Sequence, residues 1–169
     1  MIYELLNRDL IFPNLEASVM EDVMRQVGGA LTKAGYAKET YVDALIEREK
    51  EYPTALNVDG YGVAIPHTPV EHTSKTAIAV AILKEPVTFI EMGSDDDEVA
   101  VRIVFMLCIA GKPGEHAHLD TLQRRMSVIQ DTDKVKRDYG IPLITGMPFI
   151  SGMGVEKTEA AILKVLRGE

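Results

Sequence analysis

Two short, almost wholly apolar runs constrain the fold of this chain more than any other feature of its sequence. They are AIAVAIL at residues 77–83 and VRIVFMLCI at residues 101–109. Because both runs are short and rich in β-branched side chains, they predict strands that are buried on both faces of a sheet. The polar sequence EMGSDDDE between them predicts a solvated turn, with an acidic docking surface as the sharper alternative.

Amphipathic helices are predicted before these strands. Residues 15–34 carry apolar side chains at helical spacing, with Asn14 as the N-cap and Gly35 as the stop. Residues 38–50 predict a second helix, with an apolar stripe of Val42, Leu45 and Ile46, that must end before the proline of the sequence EYPT.

A third amphipathic helix is predicted after the second strand, where the loop Gly111–Gly114 leads into HAHLDTLQRRMSVIQ. Strands and helices therefore alternate, which is typical of an α/β layered fold. Residues 138–154 are rich in Gly, Pro and Met and predict no definite element, whereas VEKTEAAILKVLRG predicts a short terminal helix. Neither a repeat nor a linker divides the sequence, so we expect residues 1–169 to form a single domain.

Composition and charge exclude several classes of function. A net charge of −8 disfavours a protein that binds the nucleic-acid backbone, since such binding relies on clustered Lys and Arg. Cys108 is the single cysteine and lies within IVFMLCIA, which indicates a buried, inert thiol. The N-terminal sequence does not resemble a signal peptide, and the apolar runs are shorter than the roughly 18 residues that a membrane span needs. We therefore expect a soluble, cytoplasmic protein.

The sequence GVAIPHTPVEH, which begins at Gly62, indicates where the chemistry lies. Residues 62–65 predict a brief strand that Pro66 stops, so His67 is presented at the strand end. Gly62 permits close approach of a neighbouring backbone, and Pro66 fixes the local φ. The imidazole of His67 is thus predicted to be held on a rigid element.

The four histidines allow three interpretations. A metal site requires spacing that the chain lacks, because His67 and His72 miss the HxxEH pattern by one residue and the His116–His118 pair opens a helix. An ordinary structural role is the interpretation for His72 and His116. For His67 we favour nucleophilic catalysis, because a neutral imidazole can attack phosphorus and the phosphoramidate so formed is a good phosphoryl donor. No nucleotide-binding loop is visible, so the phosphate would come from another protein.

Three segments in order resemble the IIA component of the bacterial phosphoenolpyruvate-dependent sugar phosphotransferase system, of the fructose–mannitol type. They are YVDALIEREKEYPTALNVDGYGVAIPHTPVEH, AIAVAILKEPV and VRIVFMLCIAGKPGEHAHLDTLQRRM. The resemblance implies a single mixed, mostly parallel sheet of about five strands flanked by helices on both faces. The forms PHT-x-x-EH and EMGSDDDEVAVRIVFML are most similar to the galactitol branch.

The resemblance also implies a phosphotransferase role and its residues. His67 would accept phosphate from the carrier HPr and pass it to a cysteine of a IIB component during sugar uptake. His118, rather than His116, corresponds to the family's second histidine, and Arg48 to the arginine that faces the phosphate. No metal, cofactor or direct sugar contact is implied, the membrane is reached only through the IIC transporter, and Cys108 does not correspond to the IIB cysteine. A regulatory, nitrogen-regulatory-type module and, less favoured, a histidine metal-binding protein remain as alternatives.

Overall fold

The computed structural model describes residues 6–58 and 61–112, together with Ala160, and this part is built around a five-stranded sheet. The strands are β1 (Leu6–Leu15), β2 (Ala55–Val58), β3 (Tyr61–Ala64), β4 (Ala77–Ile90) and β5 (Glu98–Cys108). Their order across the sheet is β1-β4-β5-β3-β2. The pairs β1–β4 and β3–β5 are parallel, and the pairs β2–β3 and β4–β5 are antiparallel. The predicted mixed α/β sheet of about five strands is confirmed, with two parallel and two antiparallel pairs where the resemblance implied a mostly parallel sheet.

The two apolar runs form the centre of this sheet, as their composition predicts. Residues 77–83 of β4 and 103–108 of β5 are buried throughout, so both faces of the sheet are covered at these positions. Both strands continue beyond the apolar runs into segments where buried and exposed residues mix. Between Ile82 and Val87 the register of β4 against β5 shifts, and Pro86 lies in this irregular stretch, where its missing N–H costs no regular ladder bond.

The first predicted helix begins later than its periodicity indicates. Leu15 still belongs to β1, a strand that the sequence pattern did not predict, so the proposed start at Asn14 is wrong. The helical segment consists of α1 (Met20–Val23), a π-helical turn (Met24–Gly28) and α2 (Gly29–Lys33). Asp22 defines its start, since its Oδ2 accepts the backbone N–H groups of Ser18 at 3.1 Å and Val19 at 3.3 Å.

The predicted stop of this segment is confirmed. Gly35 has a φ of +82°, a left-handed conformation that glycine adopts without a steric penalty. The second helix begins six residues later, at Tyr41.

The second predicted helix is α3 (Tyr41–Glu51), and it ends before Pro53 as expected. Its buried residues are Tyr41, Leu45 and Glu49, spaced four apart, whereas Val42 and Ile46 are half-buried. The predicted stripe of Val42, Leu45 and Ile46 is therefore rotated, and a glutamate occupies its C-terminal end. This glutamate lies close to the candidate site.

Two contacts fix α3 against the rest of the described structure. The hydroxyl of Tyr41 donates a hydrogen bond to the carbonyl of Leu107 in β5, at 2.8 Å. The π-helical turn packs closely on α3 because Gly28 has no side chain: a Cβ at this position would lie 3.1 Å from Cδ1 of Leu45. The first two turns of α3 are thereby held against the sheet and the π-helical turn.

The predicted helix at the HAHLDTLQ sequence and the Gly/Pro/Met-rich segment 138–154 lie outside the described residues, as do His116 and His118. Of the predicted terminal helix only Ala160 is described, and it is helical. Among the helices of the described ranges, none has the length and apolar character required to cross a membrane.

Candidate active site

His67 is held against β5 just beyond the end of β3. The amide of Leu107 donates to the carbonyl of Pro66 at 2.9 Å, and His67 forms an isolated parallel bridge with Leu107. Earlier in β3, a Cβ on Gly62 would lie 2.1 Å from the carbonyl oxygen of Ala100. The glycine therefore permits the close approach of β3 to β5 that the sequence predicts, and the histidine follows from a closely packed strand pair.

The neighbours of the two ring nitrogens fix the tautomer of His67. Nδ1 lies 3.0 Å from the carbonyl oxygen of Ile65, which can only accept, so Nδ1 carries the proton. Nε2 lies 3.4 Å from Nη2 of Arg48, which can only donate, so Nε2 presents its lone pair. The two contacts are consistent with a single neutral tautomer.

The surroundings of His67 also favour the neutral ring. The residue is only 8% exposed, and this burial lowers the pKa of its imidazole below the ordinary value of 6.5. The hydrogen bond to Ile65 opposes this effect by raising the pKa, and the nearby Arg48 cation lowers it further. At neutral pH the ring is therefore a neutral base with its lone pair on Nε2.

Arg48 reaches the histidine from the last turn of α3. Its Nε is buried and has no hydrogen-bond partner among the described residues. Its guanidinium carbon lies 5.3 Å from the ring centroid of Tyr52, whose side chain is 57% exposed. A buried donor without an acceptor is costly, so this guanidinium has the capacity to bind an anion that arrives beside His67.

A second set of polar groups, which the sequence pattern did not predict, lies behind His67. Oε1 of Glu49 accepts the amide of Thr54 at 2.9 Å, and Oε2 accepts the Thr54 hydroxyl at 2.9 Å. The amide of Ile65 in turn donates to Oγ1 of Thr54 at 3.1 Å. Glu49 is followed by Lys50 and Glu51 in a charged helix end, and only its spacing from Tyr41 and Leu45 could have indicated that it is buried.

The other chemically notable residues in the described ranges have structural roles. His72 pairs through Nδ1 with the hydroxyl of Thr40 at 2.8 Å. Cys108 is buried, and burial raises the pKa of its thiol to about 12, so the predicted inert thiol is confirmed. Within residues 6–58 and 61–112, no group of three His, Cys, Asp or Glu side chains is placed to hold a metal ion.

The described fold is thus a mixed α/β sheet that presents a buried, neutral histidine beside an arginine. Residues 4–137 match the family model described as phosphoenolpyruvate-dependent sugar phosphotransferase system, EIIA 2. The match covers most of the chain, and the chain belongs to this family. The family membership expected from the three sequence segments is confirmed.

Individual relatives agree with this assignment. A mannitol-specific EIICBA component of Escherichia coli K12 is 34% identical over 119 residues, which cover 69% of this chain and 17% of that protein. A galactitol-specific EIIA component of the same strain is 32% identical over 88 residues, which cover 52% of this chain and 58% of that protein. The chain therefore spans only part of the length of these curated relatives.

A solved structure shows the same fold. It is enzyme IIAMTL of Escherichia coli in complex with phosphorylated enzyme IIBMTL, and it is 25% identical with a TM-score of 0.65. The superposition covers 98% of this chain and 100% of that chain.

Proposed function

We propose that this chain is a phosphoryl carrier of a sugar phosphotransferase system, in which His67 accepts the phosphoryl group of phospho-HPr and passes it to the cysteine of a IIB component. The observation that carries this proposal is the fixed neutral tautomer of His67, with the Nε2 lone pair directed at Arg48. Membership of the EIIA 2 family supports the chemistry. The relative IIAMTL, studied as a complex with phosphorylated IIBMTL, supports a IIB partner.

The transfer is an in-line displacement on phosphorus. The Nε2 lone pair of His67 attacks, the new N–P bond forms, and the N–P bond to the donor histidine of HPr breaks. Nδ1 keeps its proton, which is hydrogen-bonded to the carbonyl of Ile65, throughout the reaction. Attack by Nε2 therefore does not require a base to deprotonate His67. In the onward step the thiolate sulfur of IIB attacks phosphorus, and the electron pair of the Nε2–P bond returns to the ring. Positioning provides much of the catalysis in such transfers.

Arg48 stabilises the charge of the transferred group in this scheme. Its Nη2 already lies at Nε2 of His67, and its buried Nε lacks a partner among the described residues. When phosphorus bonds to Nε2, the guanidinium donors turn to the equatorial phosphoryl oxygens, which a planar fork binds better than a point charge does. The stack on Tyr52 restricts where the guanidinium can move.

We assign the second supporting role to His118. In the HLDTL sequence it opens a predicted helix, whose first N–H groups favour a nearby anion. Loss of the ring in His118→Ala is expected to slow loading and onward transfer by roughly 10- to 1000-fold, the range for removing one transition-state donor. Unchanged rates in both half-reactions would remove His118 from the site.

The partner surface lies around the rim of the site. HPr presents a small apolar patch around its own histidine, and Tyr52 is an exposed aromatic side chain beside Arg48 that such a patch can cover. We infer a small, transient contact at this rim, which suits a protein that exchanges two partners in turn. The IIC transporter is the membrane partner of the system, and the carrier itself works in the cytoplasm.

For the sugar, we propose the galactitol branch of the family. The relatives alone do not decide between mannitol and galactitol. The mannitol-specific protein is 34% identical to this chain and the galactitol-specific protein is 32% identical to it. The PHT-x-x-EH form at His67 and the acidic segment before β5 favour galactitol. The chain does not contact the sugar, so the branch is tested by offering the phosphorylated protein to galactitol-type and mannitol-type IIB components and comparing transfer rates.

The test of the function is reconstitution with phosphoenolpyruvate, enzyme I and HPr, followed by mapping of acid-labile phosphate. We expect stoichiometric labelling of the wild type and of the control His72→Gln, whose ring has a structural bond to Thr40. His67→Gln should remain unlabelled. Labelling of His67→Gln at the wild-type level would overturn the assignment, and labelling without onward transfer to any IIB component would favour the regulatory alternative.

A further inference from the structure

We propose that Glu49 is a positioning residue for His67, acting through Thr54 and the backbone of Ile65. The inference rests on the proposed function, because it concerns the presentation of Nε2 for phosphoryl transfer. Glu49 does not contact the imidazole. It acts on the one backbone residue whose carbonyl holds the Nδ1 proton.

The hydrogen bonds behind His67 form a directed chain. The amide of Ile65 donates to Oγ1 of Thr54 at 3.1 Å, and the Thr54 hydroxyl donates to Oε2 of Glu49 at 2.9 Å. The amide of Thr54 donates to Oε1 of the same carboxylate at 2.9 Å. Every donor is thus directed towards Glu49, and an acceptor at this position sets the orientation of the Thr54 hydroxyl.

Ile65 is held at both ends by this arrangement. Its N–H is bound by Thr54 at 3.1 Å, and its C=O accepts the Nδ1–H of His67 at 3.0 Å. Pro66 follows, and a proline restricts the residue before it to extended conformations, so little freedom remains between the two bonds. The direction of the Ile65 carbonyl therefore decides where the imidazole lies and which nitrogen keeps the proton.

The cost of burying Glu49 indicates that the chain has a use for this carboxylate. It occupies the third position of the buried row Tyr41, Leu45 and Glu49, where an apolar side chain would avoid the desolvation penalty. Burial raises the pKa of its carboxyl to about 7, although the bonds from Thr54 and the adjacent Arg48 cation oppose the shift. Conformational precision at the histidine is a function that an apolar residue cannot supply.

The direct test is the tautomer of His67 in the unphosphorylated protein, read from the nitrogen-15 shifts of the imidazole. In the wild type we expect one neutral tautomer, with the proton on Nδ1. Thr54→Val removes the hydroxyl, and Glu49→Gln replaces one of the two accepting carboxylate oxygens with an NH2 donor, so both should populate the tautomer that is protonated on Nε2. The matched controls Glu51→Gln and Thr88→Val change exposed residues and should keep the wild-type spectrum.

The second measurement is the rate of loading from phospho-HPr. We expect Thr54→Val to slow loading by about 10- to 100-fold, the cost of a small misplacement of a reacting group. Thr54→Ser retains the hydroxyl and should restore most of the rate. Amide spectra of each variant establish that it is folded before its rate is compared.

The outcomes separate this inference from the proposed function. If the wild type is not phosphorylated, the proposed function fails, and the tautomer spectra still decide whether Glu49 positions the ring. If the wild type is loaded normally and both variants match it in tautomer and rate, the role of Glu49 is overturned and the phosphoryl carrier stands. A slow Thr54→Val variant with the wild-type tautomer would also contradict the inference, because the loss of rate would then have another origin.

Discussion

Nη2 of Arg48 lies 3.4 Å from Nε2 of His67, so the last turn of α3 reaches the histidine that follows β3. The arginine can only donate, and the ring nitrogen that it faces must therefore accept. A cation and a lone pair are thus placed together in a site where the histidine is 8% exposed. In the proposed reaction, phosphorus bonds to this lone pair and its oxygens bind the cation.

Replacing Arg48 tests whether the guanidinium fork is needed. We expect Arg48→Ala to lower the rate of transfer from phospho-HPr by roughly 10- to 1000-fold. Arg48→Lys should lose most of the same rate, because an ammonium cannot bind two oxygens in one plane. Arg25→Lys makes the same change at an exposed position and serves as the control. Near-wild-type steady-state transfer by Arg48→Lys would reduce Arg48 to a surface cation.

The buried carboxyl of Glu49 predicts a pH dependence of stability. Its folded pKa of about 7 lies above the ordinary 4.5, so its stabilising contribution is complete below pH 4.5 and is lost as pH rises through 7. The free energy of unfolding should fall by about 3 kcal/mol over this window from this group alone. His67 contributes in the opposite direction, since its lowered pKa gives stability that is lost as pH falls below 6.5.

Comparison with Glu49→Gln isolates the contribution of the carboxyl. Because glutamine does not titrate, the stability of the variant relative to wild type should rise between pH 5 and pH 8, measured by urea unfolding at each pH. Glu51→Gln removes an exposed carboxyl from the same helix and should show no such trend. A constant difference between Glu49→Gln and wild type across this range would show that the carboxyl is not the titrating group.

Two Gly→Ala substitutions, one where β3 approaches β5 and one in a helix, are expected to have opposite effects on stability. A Cβ at Gly62 would lie 2.1 Å from the carbonyl oxygen of Ala100, so the strands must separate and the unfolding free energy should fall by more than about 2 kcal/mol. Gly29 is helical and a Cβ there meets nothing within 4 Å, so Gly29→Ala should stabilise by about 0.5–1 kcal/mol. Thermal unfolding compares the two, and equal stability of Gly62→Ala and wild type would contradict the described strand spacing.

Sequence periodicity predicted the parts of the fold that burial alone determines. The apolar runs in β4 and β5 identified the central strands, and Gly35 identified the end of the first helical segment, because each depends on local composition or a required φ. The proline after a short apolar run also predicted that His67 lies just beyond a strand, and the strand is β3. The pairing directions of the strands could not be predicted in the same way, since they depend on which edges meet in the folded chain.

Two features lay beyond such reasoning for physical reasons. β1 extends from Leu6 to Leu15 with only two fully buried residues, so it lacks the apolar signal of the central strands. Glu49 lies in the charged sequence EREKE, where composition indicates a solvated helix end. Its burial follows from the rotation of α3 against the sheet, which Tyr41 fixes through its bond to Leu107.

The identity of the phosphorylated atom decides whether Nε2 of His67 is the phosphoryl acceptor. Protein labelled with nitrogen-15 is phosphorylated through enzyme I and HPr, and the coupling between phosphorus-31 and the imidazole nitrogens is recorded. The proposed mechanism requires a single phosphohistidine, with phosphorus bonded to Nε2 of His67 and the proton retained on Nδ1, hydrogen-bonded to the carbonyl of Ile65. Phosphorus on Nδ1 of His67, or on any other residue, would contradict it.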